Sequence, residues 1–381
     1  MKTFGVGIIG AGVISSAYLK LAPLFNFIEM KAIADLNMDA AHARAQEFSI
    51  RSETIENLLA AKDIDIVVNL TTPAAHFEVT RQILEAGKHA YSEKPFVLTL
   101  EEGETLRALA AQKGLRVGSA PDTFLGGAHQ LARAVLDENL VGKVIGGTCH
   151  VMSRGMESWH PNPDFFFKAG GGPILDLGPY YISNLVQLIG PVKTVSAMAS
   201  ASFKTRTIGN GLRLGEAVPV ETPTNIHAVL EFCTGALVTL GASWDVCAHR
   251  HENMELYGSK GSLFVPDPNF FGGAVLGTDK KGTVTEITGR NHPFSIPNMS
   301  DGKGIDRANY RCAGLADMAS GIAGGHAHRC SLELATHVVE VMTAILESGD
   351  KRCWVDLKTS CDRPDPLTTE DARLLLVQDQ G

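Results

Sequence analysis

The stretch that decides the fold is residues 4–15, Phe-Gly-Val-Gly-Ile-Ile-Gly-Ala-Gly-Val-Ile-Ser. The apolar run over Phe4–Ile9 predicts a buried strand, and Gly10 and Gly12 come directly after it. Glycines at this place permit a tight turn and let backbone N–H groups approach a pyrophosphate at the start of the next helix, where the helix dipole favours negative charge. Ser15 replaces the third glycine of the dinucleotide fingerprint, at a position that requires only a small residue. The stretch therefore predicts a strand, turn and helix that bind a dinucleotide.

An acidic residue at the end of the second predicted strand indicates which dinucleotide is bound. Asp35 lies 23 residues after Gly12, where a carboxylate accepts hydrogen bonds from the adenosine ribose. The same carboxylate would repel a 2′-phosphate, and the two residues after it include no arginine to accommodate one. We therefore expect NAD in preference to NADP, with Val13 and Ile14 at the helix start also in the cofactor site. The alternative is a tight turn and a surface acid that bind nothing.

The length of the chain and its pattern of strands predict two domains. A chain of 381 residues exceeds the size at which one hydrophobic core stops growing. Over residues 1–121, short β-rich runs alternate with helical segments, which is typical of a doubly wound α/β sheet with its ligand crevice at the carboxyl ends of the strands. We expect a Rossmann domain here, with strands at Phe4–Ile9, Glu29–Ala34, Ile64–Leu70, His89–Ser92 and Leu115–Val117.

Residues 122–381 predict an α+β domain with a large, mainly antiparallel, open-faced sheet. Helices from about Pro179 to Ile189 and from about Ser331 to Ser348 would cover one face and leave the other to solvent or to another subunit, so we expect a homo-oligomer, a dimer or a tetramer. Residues 203–222 and 266–304 are rich in Gly, Pro, Asn and Asp and are expected to be long loops. The predicted strands are Asn225–Phe232, Ala236–Ser243, Glu252–Tyr257 and Ser262–Val265.

Composition excludes several classes of function. Apolar residues make up 44% and charged residues 20%, as in an ordinary globular protein. The net charge of -8, without a basic run, argues against nucleic acid as a partner. No apolar run is long enough to cross a membrane, and the N-terminal residues do not resemble a signal peptide, so we expect a cytoplasmic protein. The seven cysteines show no CxxC spacing and are expected to be free thiols.

The turn after the predicted strand Ile64–Leu70 is a further candidate for the cofactor site. Thr71, Thr72 and Pro73 would line the nicotinamide half of the crevice with their backbone. His76 follows at the start of a helix, where it either contacts the cofactor or faces solvent.

Two further clusters carry groups suited to hydride-transfer chemistry. Glu93, Lys94 and Pro95 follow the next strand, and we expect Glu93 and Lys94 to contact the cofactor near its nicotinamide end. A hydride-transfer enzyme needs a cation such as Lys94 there to polarise a hydroxyl or carbonyl oxygen. Asp176 and Tyr180 lie four residues apart at the start of a helix, a spacing that puts both on one helical face.

With these motifs in this order and spacing, the chain resembles the Gfo/Idh/MocA oxidoreductases, a family named for glucose-fructose oxidoreductase and inositol dehydrogenase. The resemblance implies an NAD(P)-dependent oxidoreductase acting on CH–OH groups, in which Lys94 and Asp176 bind the reacting sugar hydroxyls and the position of Tyr180 holds the proton donor or acceptor. It spans nearly the whole chain and rests on Gly10-Ala11-Gly12, Asp35, Glu93-Lys94-Pro95, and Gly170-Gly171-Gly172 with Asp176, Gly178 and Tyr180.

Tyr180 departs from the commonest pattern of that family, which has histidine there. A minority of the family, including glucose-fructose oxidoreductase and dimeric dihydrodiol dehydrogenase, is similar to this chain in carrying tyrosine. A free phenol has a pKa of about 10 and needs a neighbouring cation to act as a base near neutral pH. We therefore expect Tyr180 and Lys94 to accept the hydroxyl proton as a pair, with Asp176 orienting the substrate. The alternative for Asp176 and Tyr180 is a helix-start carboxylate and a packed tyrosine.

An aromatic and polar loop, residues 159–168, leads into the three glycines at 170–172. Sugars stack on aromatic faces and need polar rims, so Trp159, His160 and Lys168 are candidates for shaping the substrate site. The alternative is that the phenylalanines at 165–167 plug an interface.

A metal is not expected. The pairs His249 with His251 and His326 with His328 have no third ligand nearby in sequence, and hydride transfer to nicotinamide needs none.

These observations predict an NAD-dependent dehydrogenase that oxidises a secondary or anomeric hydroxyl of a sugar, cyclitol or glycoside. Three alternatives stay open: a reductase of a keto-sugar or dicarbonyl, an enzyme that recycles tightly held NAD, and a non-catalytic dinucleotide-binding sensor. The sensor would not need Lys94, Asp176 and Tyr180 together.

Overall fold

The structure is a computed structural model that describes residues 2–289, 291–300, 304 and 306–377. Its strands are β1 Phe4–Ile9, β2 Ile28–Ala34, β3 Arg51–Glu53, β4 Ile66–Asn69, β5 His89–Ser92, β6 Val117–Ser119, β7 Val144–Met152, β8 Val192–Ser200, β9 Thr205–Thr207, β10 Ala217–Pro219, β11 Asn225–Phe232, β12 Leu237–Ser243, β13 Met254–Gly258, β14 Ser262–Val265, β15 Leu276–Thr278, β16 Val284–Glu286, β17 Met299–Ser300, β18 Asp306–Arg307 and β19 Val355–Asp356. Its α-helices are α1 Val13–Leu21, α2 Met38–Phe48, α3 Ile55–Ala60, α4 His76–Glu85, α5 Leu100–Lys113, α6 Gly127–Asp137, α7 Asp164–Phe167, α8 Pro173–Ile189, α9 Ala313–Gly324, α10 Leu332–Lys351 and α11 Thr369–Leu375.

The chain divides into two compact units that interleave along the sequence. As far as these segments are described, the first unit comprises Met1–Gly127, Arg290–Thr336 and Pro364–Gly381, and the second comprises Ala128–Gly289 and His337–Arg363. The sequence analysis assigned everything after residue 121 to the second domain. The contacts instead group two late segments with the N-terminal residues.

The first unit is built on a parallel sheet of six strands, in the order β3-β2-β1-β4-β5-β6, among the residues described. The order reverses between β1 and β4, and such a reversal is where doubly wound proteins bind ligands. Side-chain caps fix where helices begin: Asn37 accepts hydrogen bonds from the first turn of α2, and Thr99 and Glu102 form a capping box on α5. The Rossmann prediction is confirmed. The sequence did not predict β3, whose three polar residues carry no apolar pattern.

The second unit contains a sheet of nine strands within the described ranges, in the order β16-β15-β14-β13-β7-β12-β11-β8-β19. Its pairings are antiparallel except that of β7 with β12, which confirms the mainly antiparallel sheet. α8 packs against β7, β11 and β12. Met198 on β8 and Leu237 on β12 are 73% and 55% exposed.

Three predicted elements differ from the structure. α8 begins at Pro173 and not near Pro179, because the helix continues through Pro179 at the cost of one backbone hydrogen bond. The predicted loop 203–222 contains the two-stranded ribbon β9–β10, and the predicted loop 266–304 contains β15 and β16. Strands of three residues are too short to show an alternating pattern. Residues 290 and 301–303 of the second loop lie outside the described residues.

Within the described residues, no helix is long and apolar enough to cross a bilayer. The cytoplasmic location expected from the sequence stays a prediction.

The second unit contains a histidine that makes its stability depend on pH. The His129 ring is fully buried; its Nε2 lies 2.8 Å from the Phe270 carbonyl oxygen, and its Nδ1 lies 3.2 Å from the side-chain nitrogen of Asn184. One ring nitrogen therefore donates and the other accepts, as in neutral imidazole. Burial lowers the pKa of His129 to about 4.

The lowered pKa of His129 predicts a loss of stability in acid. Because the unfolded ring has a pKa of about 6.5, the stabilisation is complete above that pH and is lost as the pH falls towards 4. Between pH 7 and pH 5, His129→Gln should lose about 2 kcal/mol less unfolding free energy than the wild-type protein, measured by urea denaturation. His227→Gln, which changes an exposed histidine of the same unit, serves as control and should follow the wild type. Equal losses in the wild type and His129→Gln would contradict the assignment.

Candidate active site

The turn between β1 and α1 shows why its two glycines differ in function. Gly10 has φ of +111°, and a Cβ built there would lie 2.6 Å from the Leu70 carbonyl oxygen, so no other residue fits. Gly12 is the N-cap of α1, and a Cβ built there would meet no atom within 4 Å. Ser15 is buried, and its hydroxyl donates to the Gly12 carbonyl oxygen at 2.6 Å. The open space at Gly12, in front of a helix N-terminus, fits a dinucleotide phosphate.

The other predicted contacts at the adenosine end lie beside this turn. Asp35 is half-buried; its Oδ2 accepts from the Ala11 N–H at 2.7 Å and its Oδ1 from the Asn37 N–H at 2.8 Å. Each carboxylate oxygen has a further lone pair, which suits ribose hydroxyls. Val13 is 93% exposed and Ile14 is half-buried at the start of α1. Gly12, Val13 and Asp35 thus come together at the carboxyl ends of β1 and β2.

The buried His76 ring contacts the backbone of the turn after β4. Thr72 is exposed, Thr71 and Pro73 are half-buried, and the Thr71 hydroxyl donates to the side-chain oxygen of Asn69 at 2.7 Å. His76 is 1% exposed, and its ring nitrogens lie 2.7 Å from the Pro95 carbonyl oxygen and 3.0 Å from the Thr71 carbonyl oxygen. The solvent-facing alternative for His76 is therefore wrong, and a contact with the cofactor stays a prediction. The ring supports the backbone of two turns.

The turn after β5 carries Lys94, whose backbone N–H is held by the Glu93 carboxylate. Glu93 is 7% exposed; its Oε1 accepts from the Tyr18 hydroxyl at 2.9 Å, and its Oε2 accepts from the Lys94 N–H at 3.1 Å. The Arg311 guanidinium lies 3.6 Å from Glu93 Oε1. The expected contact of Glu93 with the cofactor stays a prediction; within the protein, its carboxylate supports the Lys94 backbone. Lys94 is half-buried at the end of the strand.

Burial controls the charge states around this turn. Burial lowers the pKa of His76, against the opposing effect of its two carbonyl partners. Burial, followed by the negative charge of Glu93, raises the pKa of the Tyr18 phenol, which keeps it a hydrogen-bond donor.

In the second unit, the predicted catalytic residues lie on one face of α8. Asp176 is half-buried in the first turn, where its N–H donates to the Gly172 carbonyl oxygen at 3.1 Å. Tyr180 follows one turn later and is 6% exposed. Gly172 has φ of +93° just before the helix, a conformation that favours glycine. The expected pairing of Tyr180 with Lys94 joins residues of different units and stays a prediction.

In the loop that is expected to shape the substrate site, residues 159–168, the aromatic side chains contact one another. His160 packs edge-on against Trp159, Phe165 and Phe166, with ring centroids 5.4 to 5.6 Å apart. Trp159 is 57% exposed and Lys168 is exposed, whereas Phe167 is buried against Trp244. The loop therefore packs Phe167 into a core cluster of the second unit and presents Trp159 and Phe165 outward; that the phenylalanines plug an interface stays untested.

Ion pairs that the sequence did not predict, one group of them buried and one partly exposed, contact the loop and the residues before it. Arg206 on β9 forms ion pairs with Glu157 and Asp245, and its side chain is 10% exposed. Arg213 pairs with Asp164 in α7. The ribbon that carries both arginines was expected to be a loop, so no sequence signal marked them as structural.

No group of three or more His, Cys, Asp or Glu side chains is placed to hold a metal ion in the part of the chain that the structure describes. His150 and His251 stack face to face, with ring centroids 3.9 Å apart, rather than converging on one point.

A parallel sheet with its glycine turn at the β1/β4 reversal and an acid after β2 defines a Rossmann-type dinucleotide-binding protein. Residues 4–120 match a family model described as an oxidoreductase family with an NAD-binding Rossmann fold, and residues 129–264 match the GFO/IDH/MocA C-terminal domain. The chain belongs to the Gfo/Idh/MocA family of oxidoreductases.

Relatives and solved structures extend this similarity over most of the chain. Levoglucosan dehydrogenase of Pseudarthrobacter phenanthrenivorans is 26% identical, covering 94% of this chain and 99% of the relative. The 1,5-anhydro-D-fructose reductase of Ensifer adhaerens is 24% identical, covering 84% of this chain and 88% of the relative. A structure of levoglucosan dehydrogenase in complex with NADH matches the fold with a TM-score of 0.79 at 23% identity, covering 94% of this chain and 100% of that one.

The contrast between Gly10 and Gly12 predicts separable effects on stability and binding. Gly12→Asp supplies a favoured N-cap residue but puts a negative charge in the space for the phosphates. We expect an unchanged or slightly higher melting temperature and NAD affinity lowered by about 100-fold or more, measured by calorimetry. Gly10→Ala should lower the unfolding free energy by about 1–3 kcal/mol. The neutral Gly12→Asn separates charge from bulk, and a Gly12→Asp protein that still binds NAD normally would rule out this phosphate site.

Proposed function

We propose that this oxidoreductase is an NAD-dependent dehydrogenase that oxidises a secondary or anomeric hydroxyl of a sugar, cyclitol or glycoside. The observation that carries the proposal is the end-to-end similarity to levoglucosan dehydrogenase, at 26% identity over 94% of this chain. Family membership and the suitability of the Gly12 turn for a dinucleotide phosphate support it.

The preference for NAD over NADP is supported by Asp35. Its carboxylate is fixed by two backbone N–H groups at the end of β2, so a 2′-phosphate placed there would meet a negative charge. Leu36 is 93% exposed and offers no positive charge in compensation.

The proposed chemistry assigns one task to each of three side chains. Bound NAD supplies the hydride acceptor. Lys94 donates a hydrogen bond to the reacting oxygen, Tyr180 accepts the hydroxyl proton, and Asp176 orients the sugar by accepting a neighbouring hydroxyl. The positive charge of Lys94 favours the phenolate and so makes the phenol a usable base near neutral pH.

Substrate shape is assigned to the loop that carries Trp159, His160 and Lys168. The exposed indole of Trp159, fixed by its edge-on contact with His160, offers an apolar face on which a sugar ring can stack. Lys168 adds a polar group at the end of the loop.

The second candidate is the reverse reaction, reduction of a keto-sugar or dicarbonyl. The similarity to 1,5-anhydro-D-fructose reductase over 84% of this chain favours it. The same three side chains serve this direction, with Tyr180 as proton donor.

The dehydrogenase proposal predicts sugar-dependent reduction of NAD. Purified protein should reduce NAD faster than NADP with at least one member of a panel of pyranoses, anhydrosugars, inositols and glycosides, followed by absorbance. Lys94→Ala and Tyr180→Phe should each lower kcat by about 100-fold or more, because each removes a group that handles the proton. Lys113→Ala, an exposed lysine of α5, should leave kcat unchanged.

The other outcomes distinguish the alternatives. Oxidation of NADH by keto-sugars, without the forward reaction, selects the reductase. Tight NAD binding without turnover in either direction, and no effect of Lys94→Ala, selects a sensor.

We also propose a homo-oligomer, a dimer or a tetramer, that uses the open face of the nine-stranded sheet. Met198 and Leu237 lie on that face and are largely exposed, which is typical of a surface that another subunit covers. Light scattering should give a mass of two or four chains, and Met198→Glu with Leu237→Glu should lower it. Lys113→Glu, which changes an exposed residue of α5 outside this sheet, is the control, and a monomeric wild-type protein would contradict the proposal.

A further inference from the structure

The peptide unit of Lys94 is fixed from both sides by side chains of the first unit. On one side, Glu93 Oε2 accepts from the Lys94 N–H at 3.1 Å. On the other side, His76 Nδ1 lies 2.7 Å from the carbonyl oxygen of Pro95, the next residue. The lysine Cα, from which its amine extends, therefore lies between these two hydrogen bonds, of which the one to Pro95 is buried.

The Glu93 carboxylate is itself held by groups far apart in sequence. Tyr18, on α1, donates to Oε1 at 2.9 Å, and the Arg311 guanidinium lies 3.6 Å from the same oxygen. The side chains of Arg311 and Glu93 are 19% and 9% exposed, so solvent screens the attraction only weakly. With the Tyr18 hydroxyl bonded to Oε1 and the Arg311 charge beside the same oxygen, Oε2 accepts from the Lys94 N–H.

A buried aspartate holds the turn that carries Arg311. Asp122 Oδ2 accepts from the N–H groups of Cys312 and Gly314, both at 3.1 Å. Cys312 has φ of +89°, a strained conformation for a residue with a Cβ, and persists there because these bonds fix it. The late segment of the first unit thus supplies a charge to the Lys94 turn.

His76 ties the Lys94 turn to the turn after β4. Its Nε2 lies 3.0 Å from the Thr71 carbonyl oxygen, while its Nδ1 contacts Pro95. Both oxygens are acceptors, and burial lowers the pKa of His76, so the neutral ring donates to one of them only. The shorter contact assigns the N–H to Nδ1, which donates to the Pro95 carbonyl oxygen.

We infer that His76, Glu93, Tyr18 and Arg311 are positioning residues for Lys94, and that the contact of His76 Nδ1 with Pro95 is the one on which turnover depends. The inference rests on the proposed role of Lys94 in the dehydrogenase reaction. Reactions in oriented complexes are sensitive to displacements of about 1 Å, which cost up to about 100-fold in rate. Loss of the His76 contact with Pro95, or of the Glu93 contact with the Lys94 N–H, should therefore lower kcat. The NAD site at Gly12 and Asp35 should be left in place.

Two amide substitutions separate the contacts of the His76 ring. In His76→Asn the amide nitrogen takes the place of Nδ1 and still donates to Pro95, whereas in His76→Gln it takes the place of Nε2 and reaches only Thr71. We expect kcat to fall by about tenfold or more in His76→Gln and to be largely retained in His76→Asn, with NAD affinity close to wild type in both. His292→Gln, another buried histidine of the first unit, controls for general loss of stability.

Tyr18→Phe tests the other support. It removes one donor from Glu93 and should lower kcat with little change in the KM for NAD. Tyr257→Phe removes an equivalent hydroxyl bond to a glutamate, Glu255, at the same 2.9 Å in the second unit and should leave kcat unchanged. Equal kcat values for His76→Gln and His76→Asn, or a Tyr18→Phe protein indistinguishable from Tyr257→Phe, would overturn the inference.

A spectroscopic measurement separates failure of this inference from failure of the dehydrogenase proposal. Lysines are reductively methylated with ¹³C, and the Lys94 signal is identified by its absence in Lys94→Arg. Its chemical shift and titration midpoint should change in His76→Gln and Tyr18→Phe and stay at the wild-type values in His76→Asn and Tyr257→Phe. If the wild-type protein oxidises no sugar, the dehydrogenase proposal fails and this signal alone decides the inference; an unchanged signal in all four variants overturns it.

Discussion

The cofactor half of this protein depends on the absence of one methyl group at Gly10. With φ of +111° and the Leu70 carbonyl oxygen 2.6 Å from where a Cβ would lie, Gly10 lets the turn after β1 close against the end of β4. The Gly10 N–H also donates to the Ala34 carbonyl oxygen at 2.8 Å, which joins the turn to β2. Three strand ends are thus brought together before any ligand is bound, and the open space at Gly12 lies among them.

Hydrogen bonds of the backbone and of buried side chains link the end of β4, next to Leu70, to the turn that carries the proposed catalytic Lys94. The Glu93 N–H donates to the Asn69 carbonyl oxygen at 2.9 Å, which aligns the ends of β4 and β5. His76 then joins the Thr71 and Pro95 carbonyl groups. Adjacent parallel strands therefore hold the Gly12 turn, which suits a phosphate, and Lys94 at fixed positions relative to one another. A flexible loop would not fix these positions.

The sequence predicted the parts of this arrangement that rest on local patterns. A buried strand followed by Gly10 and Gly12, and an acid at position 35, are readable because each residue is required by the geometry of its own turn. The sequence did not predict that the His76 ring is buried, because the start of a helix exposes some side chains and buries others. The roles of Asp122 and Arg311 were out of reach for another reason: their contacts join residues far apart in the chain, and neither residue lies in a periodic pattern.

The second unit is organised around a different constraint, the burial of Arg206. Its guanidinium is 10% exposed and is paired with Glu157 and Asp245, and removal of one partner from such a buried pair typically costs about 3–5 kcal/mol. Because Glu157 lies two residues before Trp159 and Arg206 lies on the β9–β10 ribbon, the ribbon fixes the segment that leads into the aromatic loop. The contacts described for Lys94 all lie in the first unit, whereas those for Trp159 lie in the second. Changes in the ribbon should therefore alter the surface offered to a sugar without disturbing the contacts of Lys94, so that substrate range and the position of this lysine can vary separately.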